Sequence, residues 1–334
     1  VSPDGPSAYP DAPADRDRWI LERRPPRNRL DPRRPYAFLV EAEPGPSGGP
    51  AVDVATIFLT NRECPWRCLM CDLWRDTLEE TVPPGAIAEQ VRYALDRMPG
   101  LVPERSELKL YNAGSFFDPR AIPPSEYPEV ARLAAPFRRT IVECHPSAVG
   151  RRCVEFRDLI GRPLEVAMGL ETVHPVVLDR LNKRMTLDAF RRAAGFLAEH
   201  SIALRVFILV RPPWLTEAEG LEWAKRSLDF AFDCGAATCS LIPTRGGNGA
   251  MESLAASGEY APPSLASLEA AAEYGLSLRE GRVFADLWGV DAIPRCPSCS
   301  AARVERLRVM NATQQAPPPV RCPECGGPTD PAGE

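Results

Sequence analysis

The chain has 334 residues, 44% of them hydrophobic and 25% charged, with a formal net charge of -5. Those values describe a globular protein large enough for one α/β domain and a small appendage, and they exclude a disordered or polycationic chain. No apolar run reaches the ~18 residues a membrane span needs and no signal-peptide pattern opens the chain, so a cytoplasmic protein without membrane contact is expected.

Residues 1–50 read as a Pro/Arg-rich N-terminal arm and linker, ending in the Pro/Gly-dense run Glu43–Pro50. Arg18, Arg23, Arg24, Arg27, Arg29, Arg33 and Arg34 are interleaved there with Trp19 and Tyr36. Such a segment can grip phosphates and stack on bases. The favoured reading is blander: an arm packed on the body through Trp19, Ile20 and Leu21, its charge diluted by Glu22 and Asp31.

From residue 51 to about 290, β-branched runs alternate with amphipathic ones. The spacing predicts strands at Val54–Thr60, Glu107–Tyr111, Thr140–Cys144, Leu164–Gly169, Ala203–Val210 and Thr238–Ile242. Helices are predicted at Ala86–Met98, Thr186–His200 and about Glu217–Phe232, the last opened by a capping-box pattern of Thr216 and Glu219. This alternation predicts a parallel sheet covered by helices. Six units are too few for a closed eightfold barrel and suit a partial (βα)6 TIM-like barrel, whose chemistry belongs at the carboxyl ends of the strands.

Those ends carry the candidate residues. The first strand runs into Cys64, Cys68 and Cys71 at C-x3-C-x2-C spacing. Three thiolates on one loop can hold a cube of iron and sulfide while leaving one iron open, whereas structural zinc takes four ligands; three buried or zinc-binding cysteines are the alternative. Later ends present Asn112, Gly114 and Ser115; then Glu143, Cys144 and His145; then Gly169-Leu170-Glu171, followed by Asn182-Lys183-Arg184. Cys144 and His145 are the reactive side chains among them and the candidates for catalysis. Gly246-Gly247-Asn248-Gly249 lacks the Lys-Ser/Thr ending of a phosphate loop and is not read as one.

Residues 291–334 form a separate C-terminal piece. Cys296-Pro297-Ser298-Cys299 and Cys322-Pro323-Glu324-Cys325 are two knuckles that predict a four-thiolate site in a small ribbon, with zinc the first assignment and a second iron–sulfur cluster the alternative. Between them lies a basic, partly β-like run with Arg303, Arg306 and Arg308, flanked by Arg295 and Arg321, which either clamps an RNA backbone or is a soluble charged surface. Seven of the 11 cysteines thus fall in metal-like groups, a usage that suits a reducing compartment.

Together these motifs resemble the radical S-adenosylmethionine (SAM) superfamily, in the branch of the radical SAM subunit of archaeosine synthase and, more distantly, the Elongator catalytic subunit. The resemblance rests on Ile57-Phe58-Leu59-Thr60 leading into the cysteines, Cys68-Leu69-Met70-Cys71, Gly114-Ser115-Phe116, Gly169-Leu170-Glu171, Asn182-Lys183, Pro212-Pro213 with Thr216-Glu217, and the terminal cysteine pairs. Met70 stands where many members carry an aromatic, Ala113-Gly114-Ser115 where Gly-Gly-Glu is common, and Arg211 where Lys is expected.

The resemblance implies a [4Fe-4S] cluster on Cys64, Cys68 and Cys71, SAM chelated at its open iron, and an external electron donor whose electron splits SAM into methionine and a 5′-deoxyadenosyl radical. Asn112, Gly114 and Ser115 would then lie against methionine's polar end, Glu143 and Glu171 against its ammonium or the ribose hydroxyls, and Arg184 against its carboxylate. It further implies a lyase-type step on a 7-deazaguanine derivative, in tRNA or free, with a partner subunit. Two other readings are carried: a radical SAM enzyme on an unrelated small metabolite or peptide, and a non-catalytic RNA-binding metalloprotein.

Overall fold

The structure, a computed structural model, describes residues 9–45, 49–293 and 295–325. Positions 46–48 of the expected linker and 326–334 of the expected C-terminal piece lie outside the described residues. One sheet runs in the order β1 (Ala37–Glu43), β2 (Val52–Leu59), β3 (Glu107–Asn112), β4 (Thr140–Glu143), β5 (Leu164–Glu171), β6 (Ala203–Val210), β7 (Thr238–Pro243) and β8 (Arg282–Ala285). β1 pairs antiparallel with β2, every later neighbour is parallel, and the sheet stays open between β1 and β8 as a curled half-barrel. β5 is buried at all positions, as a central parallel strand with both faces covered must be.

The helices follow from the chain's local signals. α1 (Pro13–Arg23) precedes the sheet; α2 (Ala86–Leu95), α3 (Tyr127–Ala134), α4 (Arg151–Ile160), α5 (Pro175–Arg180), α6 (Leu187–Glu199), α7 (Glu217–Asp233), α8 (Ala250–Ala256) and α9 (Leu265–Leu278) come between or after strands, and α10 (Ser300–Thr313) closes the described chain. The predicted capping box opens α7: Thr216 Oγ1 accepts from the Glu219 N–H, and Glu219 accepts from the Thr216 N–H at 2.8 Å. Thr186 caps α6 through its hydroxyl alone, which accepts from the Ala189 N–H. One large apolar core fills the space between the sheet and its helices.

All six predicted strands are present, and the differences lie at the two ends. Ala37–Glu43, assigned by sequence to the arm, is an edge strand: its neighbouring prolines obscure a short pattern whose pairing with β2 is nonlocal. β8 was likewise hidden, being only four residues long and opening on a charge. The run between the knuckles is helical rather than β-like. Its buried residues Ser300, Arg303, Arg306, Leu307 and Met310 recur at helical spacing, and Ala and Glu among them favour that choice.

α10 also protects the sheet. Asn311 accepts from the Ala285 N–H and donates to the Ala285 carbonyl, both at 2.8 Å, and Gln314 does the same for Val283 at 2.7 and 3.0 Å. Side-chain amides thereby satisfy the outer edge of β8, which would otherwise be open to another chain. Inside the half-barrel, the amino ends of the strands are closed by charges. Arg205 binds Glu165 at 2.6 Å and Glu43 at 2.9 Å, and Lys109 joins Glu43. Burial alone would raise the Glu43 carboxyl, but Arg205 and Lys109 outweigh it and hold it well below the usual carboxylate range. The mouth is therefore the opposite end, where the strands' carboxyl termini meet.

Candidate metal centres

The cysteine loop leaves β2 at that mouth and is tied at its base. The Leu78 N–H donates to the Asn61 carbonyl at 2.8 Å and the Glu63 N–H to the Leu78 carbonyl at 2.9 Å, closing residues 64–77 into a lobe. Three further segments grip it. Leu69 is fully buried in a second apolar cluster with Trp19, Ile20, Leu181 and Met251, and its N–H donates to the Leu181 carbonyl. Asn182 donates to the Arg67 carbonyl at 2.7 Å. Asn248, from the glycine-rich loop before α8, donates to the carbonyls of Leu69 at 2.7 Å and Cys71 at 3.1 Å while accepting from the Met251 N–H. The loop that the sequence excluded as a phosphate loop thus holds the backbone of the cysteine lobe.

Gly114 shows how closely β3's end passes the loop. Its φ of 144° is open to glycine, and a Cβ there would lie 2.8 Å from the Cβ of Cys64. Beside it Asn112 is buried with neither its amide nitrogen nor its amide oxygen bonded, an unsatisfied state that a polar ligand would relieve. Burial pushes the Cys68 thiol up to about 12, and raises Cys64 and Cys71 as well, so these thiols keep their protons until a metal core replaces them. The Lys183 ammonium lies near Cys68 and Cys64; burial opposes its charge, but Glu171 at 2.7 Å and these thiols raise it above its ordinary value. Three thiols, a cation and an unpaired amide fit a thiolate-held cluster with a polar ligand beside it.

The other expected residues divide. Glu171 adopts φ 67° at a register shift in β5, and its carboxylate and Lys183 lie over Gly169, where a Cβ would collide with both. Ser115 is fully buried and accepts the His145 N–H at 2.7 Å. His145 stacks on Trp66 of the cysteine loop, ring centroids 4.0 Å apart, and both its ring nitrogens are engaged: Nδ1 accepts from the Ser147 N–H, and Nε2 bonds the Lys183 carbonyl at 3.0 Å. Burial and the nearby Lys183 bring its imidazole down to about 4, so it is neutral. His145 is therefore placed as a spacer between loops.

Cys144 lies in the apolar core beside Cys153 and its thiol donates to the His145 carbonyl, a packed position that argues against a catalytic part. Arg184 is also elsewhere than expected: it binds Asp17 at 3.0 Å and the Pro13 carbonyl, joining the loop after α5 to α1. Asn182 and Lys183 were marked by sequence without a role, and Asn248 and Glu63 were not among the expected site residues. Glu63 had a sequence signal, an acid beside the first cysteine, but its partners are distant in the chain.

Glu143 is the mouth's unusual acid. It accepts the Asn112 N–H at 3.0 Å, yet burial pushes its carboxyl up to about 8, against that N–H and the Lys183 ammonium, which both favour the anion. A raised carboxyl binds its proton more tightly in the folded state. Stability is therefore full below the unfolded pKa and falls as pH rises toward 8, by up to ~1.4 kcal/mol per unit. Glu143→Gln keeps the acceptor and removes the titration, so denaturant unfolding of the metal-free variant is expected to lose this pH slope. An unchanged slope between pH 5 and 8 would contradict the assignment.

The C-terminal cysteines do converge. All four sulfurs lie within 4.8 Å of one another, with Cys296–Cys322 at 3.7 Å and Cys299–Cys325 at 3.4 Å. A tetrahedral ion with sulfurs at ~2.3 Å separates them by about 3.8 Å, whereas a four-iron cube would hold its thiolates much farther apart. The backbone N–H groups of Cys325 and Glu324 bring the Cys322 thiol down to about 7. The neighbouring arginines are not a free basic surface. Arg303 donates to Cys299 Sγ at 3.3 Å and pairs with Glu269; Arg306 binds Glu273 at 2.8 Å; both are buried against α9.

No family model matches the chain. It is 26% identical over 311 residues to archaeosine synthase subunit beta of Methanosarcina acetivorans, covering 82% of this chain and 87% of that protein. An uncharacterized protein of Methanocaldococcus jannaschii is 23% identical over 278 residues, covering 78% and 76%. Among solved structures, methylornithine synthase superposes with a TM-score of 0.50 at 11% identity, over 80% of this chain and 84% of that one, and shares the fold. The resemblance read from the motifs holds in these comparisons: the relatives include archaeosine synthase subunit beta, and the partial-barrel fold is shared with methylornithine synthase. No helix of the described residues is long and apolar enough to cross a membrane.

Proposed function

We propose that this chain, a relative of archaeosine synthase subunit beta with a radical SAM half-barrel, is a radical SAM enzyme performing a lyase-type step on a 7-deazaguanine derivative, in tRNA or free. The observation that carries the reading is the three-thiol lobe at the mouth of the half-barrel, packed against Gly114 and gripped by Asn182 and Asn248. When bound there, a [4Fe-4S] cluster and SAM supply one-electron cleavage of a carbon–sulfur bond. The chain's own residues hold and orient. Cys64, Cys68 and Cys71 are the ligands; the Asn112 amide and Glu143 receive SAM's polar groups; the Glu171–Lys183 pair sets the local charge beside the thiols.

Rings along the inner wall suit a planar substrate. Tyr36, Phe58, Tyr111 and Phe207 form a chain of contacts, and Trp288, 62% exposed, reaches Phe58 with centroids 6.1 Å apart. An exposed indole over an aromatic wall offers a stacking face for a base. We assign zinc to Cys296, Cys299, Cys322 and Cys325, and a partner subunit follows from the relative's designation as a subunit.

Within this reading, a small free substrate in place of tRNA is favoured by one observation. Arg303, Arg306 and Arg24, the residues a tRNA substrate would call on, are consumed by Glu269, Glu273 and Glu63, and the exposed Arg308 pairs with Glu305 at 3.4 Å. The test is anaerobic turnover with SAM and a 7-deazaguanine derivative, supplied in tRNA and as the nucleoside, with 5′-deoxyadenosine and product read by mass spectrometry. A tRNA substrate predicts binding that weakens with salt, by about -0.9 in log–log slope per phosphate contact. Salt-insensitive turnover of the nucleoside selects the free form over the tRNA-borne one; turnover of neither overturns the substrate class.

A further inference from the structure

The N-terminal segment does more than pack. Arg24 and Arg27 both reach Glu63, the residue before Cys64: Arg24 Nη1 lies 2.7 Å from Oε1 and Arg27 pairs with Oε2, while Arg67 from within the loop approaches Oε1 at 3.1 Å. The same segment grips the loop's other flank, beyond Cys71. Arg24 stacks on Trp74 with its guanidinium 4.6 Å from the ring centroid, and Arg27 donates to the Trp74 carbonyl and to Thr77 Oγ1. The Asn28 N–H donates to the Arg75 carbonyl at 3.0 Å, and its side chain donates to Asp76. Residues 24–28 thus bind both ends of the lobe that carries the three cysteines.

Around Glu63 the charges do not cancel. Glu63 is one carboxylate among three guanidinium groups; its side chain and that of Arg24 are both less than a tenth exposed, so water screens them weakly, whereas Glu79, 3.9 Å from Arg27, is 83% exposed and strongly screened. On the other side of the thiols the Lys183–Glu171 pair is neutral in sum, and Arg245, which faces Asp72, is itself paired with Asp286 at 2.7 Å. Three thiolates around a four-iron core leave an anionic centre, and an electron accepted from an external one-electron donor makes it more so. Nearby positive charge favours that reduced state, since net charge and hydrogen bonding set cluster potentials.

We propose that Arg24 and Arg27 are positioning residues for the cluster: they strap the cysteine lobe at both flanks through Glu63 and Trp74, and their weakly screened positive charge raises the cluster's reduction potential. The inference rests on the cluster reading of Cys64, Cys68 and Cys71. A strap with a merely mechanical role would alter how much iron is held without altering the potential of the iron retained.

The experiment is an anaerobic redox titration of the reconstituted full chain, followed by electron paramagnetic resonance, alongside iron analysis. Arg24→Gln with Arg27→Gln is expected to move the midpoint to more negative values, and Glu63→Gln, which removes the anion and leaves the arginines, to more positive ones. Arg24→Lys with Arg27→Lys should restore the wild-type midpoint at reduced iron content. Should the double glutamine variant hold no iron, the sign of the Glu63→Gln shift decides. Midpoints equal to wild type in every variant that retains iron overturn the proposal. A wild-type chain with no reducible four-iron signal overturns the cluster reading itself, and the two failures are thereby distinguished.

Discussion

Cys68→Ala is expected to abolish cleavage of SAM to 5′-deoxyadenosine by the anaerobically reconstituted protein, and Cys64→Ala and Cys71→Ala to do the same. Removing an outer-sphere partner of a metal site costs ~10–100-fold, and loss of one of only three protein ligands exceeds that. The lobe offers no replacement: Asn248 and Asn182 hold its backbone rather than present ligands, and burial keeps the remaining thiols protonated in the absence of metal. Cys239→Ala is the control, because Cys239 is fully buried on β7 in the main core and its loss removes only a thiol. Iron content, the visible absorption of the cluster and 5′-deoxyadenosine release are the readouts. Cleavage retained in Cys68→Ala, at wild-type iron content, would refute the assignment of the three cysteines.

That lobe was legible in the sequence because its spacing is local and follows a strand with a strong apolar pattern. The six central strands were legible for the same reason. What escaped was nonlocal. Arg24 and Glu63 are 39 positions apart, and nothing in either neighbourhood marks them as partners. Arg303 and Arg306 read as a basic surface because the sequence does not show Glu269 and Glu273 opposite them on α9. Arg184 and Cys144 stood at plausible positions near strand ends, yet side-chain direction sent one to α1 and the other into the core. Asn248 was visible only as part of a glycine-rich loop; its reach to Leu69 and Cys71 spans nearly 180 positions. The short edge strands β1 and β8 depended on partners that local propensity does not report.

Zinc at the C-terminal thiols has a structural consequence that can be measured. The ion would join Cys296 and Cys299, which precede α10, to Cys322 and Cys325, which follow it, so both ends of the helix are fixed by one group. α10 in turn places Leu307 and Met310 in the main core, and Asn311 and Gln314 on the open edge of β8. Structural zinc binding is worth ~10–16 kcal/mol in small fingers, of which a helix already anchored by core contacts would realise only part. Cys322→Ser, or removal of the ion by a chelator, is therefore expected to lower stability by several kcal/mol. The β8 amides of Val283 and Ala285 should lose hydrogen-exchange protection before those of β5, since their partners Gln314 and Asn311 sit on the loosened helix. X-ray absorption on chain depleted of its iron cluster should report one zinc with four sulfur neighbours near 2.3 Å. Iron in its place would reassign the site, and β8 protection that survives metal removal would show that α10 is held by its core contacts and the Arg303–Glu269 pair alone.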